Sequence, residues 1–307
     1  MTHFTLRSAD MSARISPYGA RLEHVSFHDG PNLVLHADPH RHPGWHDVYA
    51  GAIVGPVANR IRGGEVHLGD ATYHMPTNEN DRTALHSGPD GLDRRPWDMM
   101  AQDDSGVTLR CTLADGDGGL PGLRQITVRY GLSAATLTLD ITATTNHATP
   151  INIAHHPYWR LGDARAHLLQ VHAAHYLPVD QHNIPTGVIA DVAGTAFDHR
   201  APKPLHPEID HNLCTAPRKQ VTARHVATLH GAQGIRLHID STEPGLQVYG
   251  GAYLPKIAGT DIAPYAGIAL EPQGWPDAVH HPDFPSIICT PTQPYTQITR
   301  YRFDRDS

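Results

Sequence analysis

Val107-Thr108-Leu109-Arg110-Cys111-Thr112-Leu113 carries an apolar side chain at every second position, and the period recurs at Ile126, Val128 and Tyr130 and at Leu137, Leu139 and Ile141. Successive side chains of a strand point to opposite faces, so a period of two marks a strand with one buried face; a helix would need apolar residues at i, i+3, i+4 and i+7. Working outward, residues 5–15 and 20–28 mix apolar and polar residues in short runs, parted by Ser16-Pro17-Tyr18-Gly19 and closed by Asp29-Gly30-Pro31-Asn32, a pattern of strands and turns. Glu65-Val66-His67-Leu68 and Ala71-Thr72-Tyr73-His74-Met75 flank the two-residue turn Gly69-Asp70, which predicts a hairpin. No capped segment sustains a helical period, and 26 prolines and 27 glycines punctuate the chain. The expectation is an all-β fold, a large two-sheet β-sandwich. With no linker, repeat or low-complexity tract, a single domain over residues 1–307 is expected, the alternative being a separate small N-terminal lobe.

A formal net charge of −7 and the lack of any Lys/Arg block argue against nucleic acid and anionic membrane as partners, which points to a small neutral molecule. Cys111, Cys214 and Cys289 are far apart and odd in number, so neither a disulfide framework nor a clustered thiolate metal site is expected. Met1-Thr2-His3-Phe4-Thr5-Leu6-Arg7 lacks the apolar core of a secretory signal, and no apolar run reaches the length of a membrane span. A cytoplasmic protein, monomer or homodimer, is the expectation. Among the 25 histidines, His36, His40, His42 and His46 cluster, yet they lie among Pro39, Pro43 and Gly44 with no HExxH frame and no flanking cysteine. They read as surface-loop histidines rather than metal ligands.

Gly267-Ile268-Ala269-Leu270-Glu271-Pro272-Gln273-Gly274-Trp275-Pro276-Asp277 is an apolar run that ends in a carboxylate. It reads as a buried strand delivering Glu271 to a rim, stopped by Pro272, which cannot donate to a continuing ladder. Trp275 would offer a flat apolar face to a sugar ring, and Glu271 and Gln273 hydrogen-bonding groups to its hydroxyls. Alone, the stretch fits a solvated glutamate at a strand end better, since most glutamates are exposed. Three other places interrupt the strand pattern. Asn59-Arg60 precedes the Gly63-Gly64 turn, where the arginine suits an ion pair or a fork for sugar oxygens. His86 enters the loop Ser87-Gly88-Pro89-Asp90-Gly91, and loops set on a rigid sheet often carry function. In Ile151-Asn152-Ile153-Ala154-His155-His156-Pro157-Tyr158-Trp159, alternation sends His155 and His156 to opposite faces. A histidine and a glutamate facing one substrate would form an acid and base pair.

Taken together, these stretches resemble the aldose 1-epimerase (galactose mutarotase) family over nearly the whole chain. The resemblance is carried by Ala58-Asn59-Arg60-Ile61, Leu85-His86-Ser87-Gly88-Pro89, His156 with Tyr158-Trp159, Tyr176-Leu177-Pro178-Val179-Asp180 with Ile184-Pro185-Thr186-Gly187, Asp210-His211-Asn212, Thr242-Glu243-Pro244-Gly245-Leu246-Gln247-Val248-Tyr249, and Leu270-Glu271 through Pro276-Asp277-Ala278. It implies a β-sandwich of the galactose mutarotase-like (supersandwich) type and a cofactor-free, metal-free interconversion of the α and β anomers of a free monosaccharide. By the same resemblance Glu271 is the general base, His156 the general acid and His86 a second catalytic histidine. Asn59, Arg60 and Asp210 bind the sugar, with Gln273 and Tyr249 near the same groove.

Such chemistry needs a base to take the anomeric hydroxyl proton while an acid protonates the ring oxygen; rotation about C1–C2 and reclosure then give the other anomer. A carboxylate and an imidazolium, each favouring the other's charge, are expected to stand together at neutral pH. The chain departs from the family at Gly55-Pro56, His155, Pro157 and Arg160, so the preferred sugar does not transfer with the resemblance. A non-catalytic carbohydrate-binding protein and a His-rich metalloenzyme on a β scaffold are the competing readings. Mere binding has no use for a matched acid and base.

Overall fold

The computed structural model describes residues 3–37 and 42–305 of the chain. His40 and Pro39 of the histidine tract and Met1-Thr2 of the N-terminal run lie outside the described residues.

The alternating segments become the centre of a nine-stranded antiparallel sheet. Its order is Lys203–Pro204, Leu168–Val171, Arg224–His230, Ile235–Ser241, Tyr295–Arg305, Thr136–Thr145, Arg124–Ser133, Gly106–Leu113 and Asp98–Gln102. Arg124–Ser133 buries every second residue, and Ile126, Val128 and Tyr130 join Leu109, Leu139 and Ile141 in one core. Burying that stripe on one face stabilises the sheet by roughly 25 cal/mol for each Å² of apolar surface removed from water.

A second, six-stranded antiparallel sheet runs in the order Tyr158–Trp159, Ile268–Gln273, Gly245–Tyr249, Asp210–Cys214, His175–Tyr176 and Ala190–Asp191. Leu246, Val248 and Leu270 belong to the same core cluster as the nine-stranded sheet, so the two sheets pack face to face. Phe4–Arg7, Met11–Ser16 and Arg21–Phe27 form a third sheet whose Leu6, Ile15, Leu22 and Val25 enter that core too. The hairpin forms as expected, with Leu68 opposite Ala71. Among the described residues the only helices are short 3-10 turns.

Register decides what the outer face of the six-stranded sheet carries. Glu271 lies opposite Gln247 and Ala269 opposite Tyr249, while Asp210 pairs with Tyr249 and Tyr158 with Ala269. Directly opposed residues share a face, so Glu271, Gln247, Tyr249, Asp210 and Tyr158 stand together on the side away from the core. The strand does not stop at Pro272 but continues to Gln273. Past Ala269 it is paired on one side only, by Gly245–Tyr249, and proline is tolerated at such an open edge.

Candidate active site

A groove of about 360 Å³ opens on that outer face, lined by Glu271, Gln247, Tyr249, Asp210 and Tyr158 from the sheet and by Tyr49, Asn59, Arg60, Glu79, His86, His156 and Tyr253 from the loops around it. His156 follows the two-residue strand Ala154–His155, which pairs with Ile53–Val54. His155 turns into the core, its Nδ1 3.2 Å from Tyr301 Oη and its ring against Tyr130. His156 turns the other way, and its Nε2 lies 3.5 Å from Glu271 Oε1 with both residues buried. The alternation expected of this pair is therefore realised, with His156 the one in the groove.

His86 sits at φ 50 and Asn59 at φ 63, and the two backbones lock together. His86 N–H donates to Asn59 O at 2.9 Å, and Asn59 N–H donates to His86 Nδ1 at 3.1 Å. An imidazole that accepts at Nδ1 and is neutral carries its proton on Nε2. His86 is thus fixed as a hydrogen-bond donor toward the groove. Tyr49, also at positive φ (57), lies over the His86 ring with centroids 4.5 Å apart, and Tyr158 approaches His156 at 5.1 Å. Bulky residues held in this backbone region mark a place where the surroundings impose conformation.

Burial governs the ionisation of the acid and base pair. It pushes Glu271 well above the usual carboxylate range, with Asp210 adding to the rise and Arg60 opposing it. It also pulls His156 down to about 4, helped by Arg21 and opposed by a backbone hydrogen bond. His86 falls well below 6.5 through burial and through the nearness of His156 and Arg60. The expectation of a standing carboxylate and imidazolium is corrected: the neutral pair, with the shared proton on the carboxyl, is favoured. The cause is the cost of charge in a buried site.

His86, His156 and Glu271 bring one possible ligand atom each within 4.8 Å of one another. They do not fit a metal ion, because His86 offers no free lone pair: Nδ1 accepts from Asn59 N–H and Nε2 carries the proton. His36 and His42 of the histidine tract are half-buried and join no such group among the described residues.

Opposite the pair, Arg60 Nη1 lies 3.6 Å from Asp210 Oδ2, and Gln247 Nε2 donates to Asp210 Oδ1 at 2.6 Å. Asn59, Arg60, His86, His156, Asp210, Tyr249 and Glu271 are all brought together. Gln273 is not. One step beyond Glu271 on the same face, it is fully buried with both amide atoms unpartnered and does not line the groove. Trp275 also fails its expected role. It packs in a separate cluster with Val57, Ile61 and Phe284, and its Nε1 donates to Pro244 O at 3.1 Å. The aromatic walls are tyrosines instead, Tyr49, Tyr158, Tyr249 and Tyr253. Of the departures from the family pattern, His155 faces the core and Arg160 pairs with Asp261 at 3.0 Å, and neither these nor Pro56 and Pro157 line the groove. Sequence reasoning missed Tyr49, Glu79 and Gln247. Only Gln247 had a legible signal, its place two residues before Tyr249 on one strand face.

Known proteins resemble the chain in both sequence and fold. The aldose 1-epimerase family model matches residues 2–302. A galactose mutarotase from Rattus norvegicus is 36% identical over 274 residues, covering 83% of this chain and 79% of its own. An aldose 1-epimerase from Escherichia coli (strain K12) is 32% identical over 280 residues, covering 83% and 80%. The solved structure of an aldose epimerase homologue from C. elegans superposes with a TM-score of 0.92 at 26% identity, over 100% of this chain and 99% of that one. A galactose 1-epimerase from Lactobacillus acidophilus NCFM gives 0.85 at 27%, over 99% and 94%. With the fold, the groove and a family match that runs almost end to end, the chain belongs to the aldose 1-epimerase family.

Proposed function

We propose that the protein interconverts the α and β anomers of a free aldose by opening and reclosing the ring, with Glu271 and His156 exchanging protons with the anomeric hydroxyl and the ring oxygen. The observation that carries this reading is the buried His156 Nε2 to Glu271 Oε1 approach of 3.5 Å at the floor of the groove. Between them the two side chains hold one proton. Moving it from carboxyl to imidazole creates the base and the acid together, without changing the net charge of the site. Glu271 then takes the hydroxyl proton while His156 donates to the ring oxygen, and reclosure on the other carbonyl face reverses both transfers. His86 Nε2–H donates to a sugar oxygen, and Arg60, Asp210 and Asn59 hold the hydroxyls. A groove lined by tyrosines, a guanidinium and a carboxylate suits a neutral polyhydroxylated ligand. The departures lie off the groove lining, which leaves the preferred sugar to the lining itself: Tyr49, Gln247, Tyr249 and Tyr253.

The test is NMR exchange spectroscopy between anomer signals of galactose, glucose, arabinose, xylose and fucose. Parent protein should exchange the anomers of at least one of them, and Glu271→Gln should bind that sugar but turn over about 10²- to 10⁴-fold more slowly. A Glu271→Gln variant within a few-fold of the parent would remove Glu271 as the base, and a parent that binds a sugar without exchanging its anomers would favour a sugar-binding protein.

A further inference from the structure

Arg60 reaches the groove already held. Its Nε and Nη2 donate to Glu79 Oε2 and Oε1 at 2.8 and 2.9 Å, a two-pronged bond, and Thr83 Oγ1 donates to Glu79 Oε2 at 2.7 Å. The remaining nitrogen, Nη1, is the one near Asp210. A guanidinium is a planar fork of fixed geometry, so anchoring two of its nitrogens sets where the third points. The anchor is itself well supported. Glu79 N–H donates to Thr83 O at 3.4 Å and Arg82 N–H to Glu79 O at 3.0 Å, closing a tight loop before the strand Thr83–Leu85. That strand pairs with Arg60–Arg62, with Arg60 opposite Leu85 and Arg62 opposite Thr83. The fork therefore rides on one strand of a pair, and its acceptor on the tight loop that leads into the other.

The charges matter as much as the geometry. Arg60 draws Glu271 toward its ionised form while Asp210 opposes it. Burial raises Glu79, but the hydrogen bonds and charge of Arg60 and the Thr83 hydroxyl outweigh it and keep Glu79 ionised. Two carboxylates thus bracket one guanidinium.

We propose that Glu79 is a positioning residue of the reaction: it aims Arg60 Nη1 at the sugar oxygens and offsets the Arg60 charge, so that the Glu271–His156 pair keeps its shared proton. This deepens the acid and base reading above and rests on it.

Glu79→Gln keeps the shape, loses the charge and turns an amide toward the arginine N–H groups. Anomer exchange measured across sugar concentration and pH should show KM raised about 10-fold or more with kcat changed less. Both limbs of the kcat/KM against pH profile should move to lower pH, because removing a negative charge disfavours every protonated form nearby. A KM within twofold of the parent overturns the proposal. So does a raised KM with unmoved limbs, which would mean a loosened loop and nothing more. If Glu79→Gln does not fold, Thr83→Val decides: it keeps the charge but removes the hydroxyl on Oε2, and a KM raised a few-fold supports the role while an unchanged KM overturns it. Absence of anomer exchange in the parent would instead strike down the epimerase reading itself, which separates the two failures.

Discussion

At His156 and Glu271, burial acts on an acid and a base in opposite directions and leaves the same product, a pair holding one proton. Its two titrations belong to the pair rather than to either residue. Below the lower one, near the His156 value of about 4, the site gains a second proton and loses its acceptor. Above the upper one, set by a Glu271 pushed well above the carboxylate range, it loses the only proton it has to donate. The kcat/KM profile should therefore be a plateau between an acid limb near 4 and an alkaline limb, and a rate that keeps climbing with pH would contradict the one-proton pair. The effects of Glu271→Gln and His156→Ala should not add, since both remove the same ring-opening event. At this scale the sequence was partly readable. Glu271, His156 and His86 stood out because polar groups interrupted an apolar pattern. Glu79 did not, because its meaning lies in a two-pronged contact across 19 positions that no local spacing reveals.

Among the elements, period two delivered the strands, and strand register delivered half of the groove. It failed in a specific way at Gln273 and Trp275. Alternation places Gln273 on the face of Glu271, but each further step of two residues moves it about 7 Å along the strand, beyond the groove mouth. Trp275 lies past the strand, where alternation no longer applies, and it folds back over Gly245; a Cβ there would meet its ring at 3.0 Å. The loops have their own ties. Ser87 Oγ accepts from Val57 N–H at 2.8 Å and donates to Val57 O at 3.2 Å, pinning the His86 loop to the segment that carries Asn59. Ser87→Ala would leave a buried N–H unpartnered, at a cost of about 1–3 kcal/mol. Denaturant unfolding should show that loss, and anomer exchange should slow as His86 leaves its donor geometry. A variant as stable and as fast as the parent would show that the strands alone set the loop.

For the whole molecule, burial of so many imidazoles has a thermodynamic consequence. His155 is pulled to about 3 by burial, with His156 adding to it, and His156 and His167 to about 4 by burial. In the unfolded chain each takes a proton near 6.5. The folded values are depressed, so the native state binds fewer protons, and its stability is full above about pH 6.5 and falls as pH drops toward the folded values. Each such group contributes a slope of about 1.4 kcal/mol per pH unit in that window. Glu271 runs the other way: its folded value is raised, so its favourable term is present below about 4.5 and is lost as pH rises through the folded value. Glu271 and Asp93, the latter pushed up to about 6 by burial, offset part of this over the same window, but His86, also held well below 6.5 by burial, joins the other three histidines, so Tm should decline from pH 7 to pH 5, before ordinary carboxylates titrate. His155→Phe fills the space against Tyr130 and Tyr301 with a ring that cannot take a proton, and its Tm should fall less steeply over the same range. Because all three main sheets contribute to one core cluster, we further propose that the chain unfolds as one domain. Calorimetry should give a single transition at each pH, its van't Hoff enthalpy equal to the calorimetric one. Two resolved transitions would mean that the N-terminal sheet is a lobe of its own, and equal Tm slopes for the parent and His155→Phe from pH 7 to pH 5 would mean that His155 is not held neutral.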